Sequence, residues 1–121
     1  MIQSALKAFV GAVALSMTAC SVPVVEIVRV SNPSEAVEAI VGVSQGGAVS
    51  SGSYQIYLTR KGAAEWGDPI FVADQVSNLR VKWDGDARLL VSLDRARLQR
   101  QTPNWRDGAM EVAVNYEIAK K

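Results

Sequence analysis

From Val24 onward the apolar positions come in short runs, many with a period of two, broken by Gly, Pro, Asn and Asp. That is the pattern of strands and turns. Val24 to Val30 is a β-branched run and predicts a first strand, closed by the turn cluster Ser31-Asn32-Pro33-Ser34. Ala36 to Val43 is apolar enough for a strand or a brief helix. Val41 and Val43 around Gly42 favour strand, and a capping box opened by Ser34 would want Glu or Gln where Val37 stands. Gly46 to Ser53 is a polar loop rich in glycine and serine.

Tyr54 to Arg60 alternates cleanly, with Tyr54, Ile56 and Leu58 on one face and Gln55, Tyr57 and Thr59 on the other. Lys61 to Pro69 reads as a loop, and Ile70 to Ala73 as a short strand. Leu79 to Trp83 and Arg88 to Leu93 alternate on either side of Asp84-Gly85-Asp86, which predicts a hairpin with Trp83 in the core. Arg95 to Arg106 is polar and basic, holds Pro103, and is expected to cross an edge before a last strand, Met110 to Ile118. The expectation is an all-β fold, a small antiparallel sandwich or barrel of about seven strands, because each sheet has an apolar face that another must cover.

The stretch ahead of Val24 has a different character. Lys7 precedes the apolar run Ala8 to Leu15, and small residues follow. This is the layout of a secretory signal peptide, too short for a membrane-spanning helix, which needs about 20 apolar residues. Met17-Thr18-Ala19-Cys20 resembles the lipobox of bacterial lipoproteins, with Met17 standing where Leu is usual. The resemblance implies cleavage between Ala19 and Cys20 and acylation of Cys20. A plain signal-peptidase cut after Ala19 is the alternative. The expected organisation is a signal peptide over 1–19, a lipidated Cys and short tether over 20–23, and a single β domain over 24–121. Ser21, Val22 and Pro23 span about 10 Å at most, which would hold the domain close to the membrane. Ser21 after the Cys resembles the pattern sorted to the outer membrane, facing the periplasm, in a host with two membranes.

Composition narrows the chemistry. Lys plus Arg number 13 and Asp plus Glu 12, so with Lys7 removed the charges balance and nothing points to nucleic acid. There is no histidine, which removes His-dependent triads, most zinc sites and the usual neutral-pH proton shuttle. The one cysteine is taken by the anchor, leaving no internal disulfide. After trimming, about 100 residues are enough for one core without staples. No cofactor and no metal is expected.

The block Gly46 to Leu58, with Gly62, Val81-Lys82-Trp83 and Leu89-Leu90-Val91, resembles a group of small bacterial envelope proteins of unknown function. The resemblance implies a compact β domain and brings no activity with it. Candidate partner-binding residues are Trp66 and Trp105, expected in loops, where they can stack on a sugar or anchor a partner, or fold back over one end of the core. Arg97, Arg100 and Arg106, with Arg95, can meet anionic lipid or an acidic partner, although Asp94 and Asp107 bracket them and a charge-guarded edge strand is the ordinary explanation. Asp84 and Asp86 suit a hairpin turn; as a carboxylate pair they would serve a hydrolase only if one were buried.

These features together point to a membrane-anchored envelope lipoprotein without enzymatic activity, binding or supporting another envelope protein or peptidoglycan. The alternative is an inhibitor or immunity-type protein that blocks a hydrolase or toxin, motivated by the Gly46 to Ser53 loop.

Overall fold

The structure is a computed structural model that describes residues 24–44 and 52–119. The expected leader over 1–19, the positions Ala19 and Cys20, the tether to Pro23 and residues 46–51 of the glycine–serine loop lie outside the described residues.

Among the described residues, nine strands form two sheets packed face to face: β1 (Val24–Ser31), β2 (Val37–Ser44), β3 (Ser53–Arg60), β4 (Phe71–Ser77), β5 (Arg80–Trp83), β6 (Arg88–Leu93), β7 (Arg95–Gln101), β8 (Asn104–Asp107) and β9 (Met110–Ile118). One sheet has the order β1-β2-β3-β4-β7 and the other β5-β6-β9-β8. The all-β expectation holds, as a sandwich. The strand count exceeds about seven because the basic segment expected to cross an edge contributes two strands, β7 to the first sheet and β8 to the second. The pairing is antiparallel except between β6 and β9, which run parallel from Arg88↔Ala113 to Leu93↔Ile118.

Register explains which alternating residues meet. Val41↔Ile56 and Ala39↔Leu58 pair across β2 and β3, and Ile56↔Phe71 and Tyr54↔Ala73 across β3 and β4. Opposite residues share a face, so these side chains line the interior and meet Leu89, Val91, Leu93, Val112 and Val114 of the second sheet. The apolar faces expected of Tyr54–Arg60, Arg88–Leu93 and Met110–Ile118 do face the core, and in β3 Tyr57 and Thr59 of the other face are buried as well.

β2 is buried on both faces from Val37 to Gly42. Its outward Ile40 is wholly buried, with Tyr57 and Arg29 as its neighbours in register. Outward Glu38 is 6% exposed and accepts from Arg29 Nη1 at 2.7 Å, while Arg29 also grips Glu26 through Nε at 3.0 Å and Nη2 at 2.7 Å. The salt link lowers the Glu26 carboxyl below its ordinary range and raises the Arg29 guanidinium.

Polar groups tie the sheets at their edges and ends. Trp83 is half-buried against the core, not enclosed in it, and its indole Nε1 donates to the Val30 carbonyl at 2.9 Å, joining β5 to β1. Tyr116 stacks on Phe71 with ring centres 5.9 Å apart. Its hydroxyl proton is shared between the Thr102 and Ile70 carbonyls at 2.8 and 3.1 Å, where the chain leaves β7 for β8. Gln75, at the irregularity within β4, and Asn78, at the corner from β4 to β5, take φ of 54° and 61°. Asn tolerates that region through local hydrogen bonding, and the corner carries the chain from one sheet to the other.

Candidate functional site

The five residues expected to contact a partner do not form one surface. Arg97 and Arg100 lie on β7, an edge strand of the first sheet, as the charge-guarded edge explanation anticipated. Arg97 makes a two-pronged contact with Asp74, Nε to Oδ1 at 3.0 Å and Nη2 to Oδ2 at 2.8 Å. That contact holds the Asp74 carboxyl below its ordinary range and raises the guanidinium. Arg100 Nη1 donates to the Pro69 carbonyl at 3.1 Å. Both arginines thus close the β4–β7 edge, and their charge is partly spent within the fold.

Trp66, Trp105 and Arg106 do come together. They line a shallow cleft of about 230 Å³ with Arg60, Glu65, Asp68 and Asp107. Trp66 lies in the loop before β4, as expected, and tilts against Tyr57 with ring centres 5.1 Å apart. Burial of the phenol pushes Tyr57 above its ordinary pKa. Trp105 is not in a loop: it sits on β8 opposite Val112 and packs half-buried against the core. Its packing against the core agrees with the expectation that it covers the core, and it also lines the cleft. Arg106 pairs with Glu111 at 3.2 Å, and Arg60 with Asp107 at 2.7 Å. The cleft is therefore a rim of paired charges around two half-buried indoles, suited to weak, stacking contacts.

Asp84 and Asp86 are both exposed at the β5–β6 turn, where Gly85 takes a φ of 83°. Asp84 lies 3.8 Å from Arg88, and the Asp86 carboxylate accepts from the Ser34 amide at 2.8 Å. They serve the turn and its link to the β1–β2 connection. Among the described residues no group of three or more Cys, Asp or Glu converges as a metal site.

A second concavity escaped the sequence. A groove of about 710 Å³ opens between the edge strands β1 and β5, lined by Ile27, Val28, Val30 and Val41 on one side and Val76, Leu79 and Val81 on the other. Arg80 and Lys82 also line it, and no Asp or Glu does. Alternation alone would put Ile27 and Val28 on opposite faces. A bulge between Glu26 and Val28 takes Ile27 out of the ladder, so that both reach the groove. Among the described residues, three of the four exposed large apolar side chains, Val25, Ile27 and Val28, are on β1.

The cleft around Trp66 lies toward the end of the sheet remote from Val24, whereas the groove runs along β1 as far as Val30, which is level with Leu58 of the cleft. Val24 lies level with Ser44 and Ser53, whereas Ser31 lies level with Glu38 and Thr59. The cleft around Trp66 is built on the Leu58–Arg60 end of β3, one strand length, roughly 20–25 Å, from where β1 begins. Compared with known protein families, with curated proteins and with solved structures, the chain matches none.

Proposed function

We propose that the chain is a bacterial lipoprotein of the cell envelope, cut before Cys20, acylated there, and displayed as a β sandwich that binds or supports another envelope component without catalysing a reaction. One observation carries the reading: β1 begins at Val24, directly after the short stretch Ser21-Val22-Pro23 that follows the lipobox-like cysteine. An anchor so close to the first strand leaves the sandwich lying on the membrane with little freedom, a sensible arrangement for a module acting at that surface. A lipoprotein cysteine carries two or three acyl chains, and two already suffice for stable anchoring where a single chain does not. Ser21 favours the outer membrane in a two-membrane host.

On this reading the cleft of Trp66, Trp105 and Arg106 is held away from the bilayer, and it is the surface offered to an envelope protein or to the sugars of peptidoglycan. The test is the intact mass and membrane fractionation of the protein from a bacterial host, beside Cys20→Ala. A mature mass beginning at Cys20 with acyl chains added, and loss of the variant from the membrane, is the expected result. An unacylated, soluble wild type overturns the proposal.

A further inference from the structure

We propose that the groove between β1 and β5 holds an acyl chain of an anionic membrane phospholipid, with Arg80 and Lys82 against its phosphate. The orientation of the groove on the bilayer rests on the anchored reading above; the binding chemistry stands on the groove itself. Apolar side chains from both edge strands make its walls, and its volume of about 710 Å³ falls within the roughly 300–1,000 Å³ typical of small-molecule sites.

Position identifies the occupant's source. The exposed Val25, Ile27 and Val28, at 58, 53 and 44%, lie on the strand that starts four residues after Cys20. An extended tether of that length reaches about 13 Å at most, which leaves the apolar edge able to touch the interfacial layer of a membrane that holds Cys20. Charge identifies the headgroup. Arg80 and Lys82 form no ion pair among the described residues, and the nearest acid of β1, Glu26, is held by Arg29. Lys82 also borders another concavity that holds Glu117, without an ion pair to it; two cations free of ion pairs beside an apolar slot match a phosphate joined to a hydrocarbon chain. Strand addition by a peptide or by a second copy fits less well, because the bulge at Ile27 breaks the hydrogen-bonding edge of β1 that an added strand would need.

The experiment uses the full-length chain, wild type and Cys20→Ala, in vesicles of phosphatidylcholine with phosphatidylglycerol bearing a diazirine midway along one acyl chain. After irradiation, the labelled peptides are mapped by mass spectrometry and the N-terminal peptide is read for acylation. Label concentrated on Val25–Val30 and Leu79–Lys82 is expected. It should fall about tenfold or more in Ile27→Asp, which puts a charge into an apolar contact, at a position exposed enough to leave the melting temperature unchanged. In the double variant Arg80→Gln with Lys82→Gln, labelling should drop to the level seen with a diazirine phosphatidylcholine. Label spread evenly over the protein, label indifferent to Ile27→Asp, or covalent dimers joined through β1 each overturn the proposal, the last in favour of a second copy. Groove labelling with an unmodified Cys20 sinks the anchored reading and leaves the groove assignment standing. An acylated Cys20 without groove labelling does the reverse.

Discussion

The side-chain amide of Asn32 donates to the carbonyl of Asp86 at 3.1 Å and so joins the β1–β2 turn of one sheet to the β5–β6 turn of the other. Asn32 is 3% exposed, and its Oδ1 accepts from the amides of Ala36 and Val37 at 2.9 and 3.2 Å. Asp86 returns the link by accepting from the Ser34 amide. One asparagine thus shapes its own turn and closes the end of the sandwich. Asn32→Ala strips partners from the buried Val37 amide and should cost about 2–3 kcal/mol. Denaturant unfolding checks it: the midpoint should fall with the slope unchanged.

Arg29 neutralises a carboxylate that burial would otherwise penalise. Removing it in Arg29→Ala leaves Glu38, 6% exposed, without its cation, and should lower the denaturation midpoint. Replacing Glu38 by Gln in that background should recover part of the loss, because the unpaired charge goes with it. A double-mutant cycle reads the coupling directly.

Gly42 lets β1 lie close over β2. A Cβ there would stand 2.5 Å from Val24 Cγ1 and 3.3 Å from the Val25 carbonyl oxygen. Gly42→Ala should therefore destabilise by about 1–2 kcal/mol through overpacking. Adding Val24→Ala should restore most of it, since the tightest clash is with that side chain. Equal stability of the single and double variants would show that the backbone contact governs instead.

Burial pushes the Tyr116 hydroxyl up to about 12, against about 10 for an unfolded tyrosine. The folded state holds this proton more tightly than the unfolded one. Its contribution is complete below pH 10 and is lost as pH rises through about 12. Stability measured across that window should decline, and decline less in Tyr116→Phe. At neutral pH the same variant keeps the stack on Phe71 and loses the bonds to Thr102 and Ile70, a cost of about 1 kcal/mol.

Most strands were legible because each buries one face, and one-sided burial writes itself into the sequence as alternation. Arg88–Leu93 and Met110–Ile118 carry that mark, and their inward residues belong to the core; Tyr54–Arg60 alternates as well, although its Tyr57 and Thr59 are buried on the other face. The strand β7 carries none. It is an edge strand exposed along nearly all its length, so nothing selects an apolar period and its arginines read as a crossing segment. The hairpin of β8 and β9 did leave a local signal, Asp107-Gly108 before an alternating run, with Gly108 at a φ of 64°. That signal places Trp105 on a strand.

The sequence by itself determined the class of fold, the positions of six strands, the β5–β6 turn and the presence of a cysteine four residues ahead of the first strand, and it left Ala36 to Val43 between strand and helix. Those depend on local geometry: the two-residue repeat of a strand and the backbone freedom of glycine in a turn. The tertiary structure decided the parallel union of β6 with β9, the division of the arginines between two sheets, and the meeting of Trp66 with Trp105. It alone produced the groove between β1 and β5, because a single bulge at Ile27 reverses the parity that alternation assumes, and because two strands far apart in the chain had to become neighbouring edges.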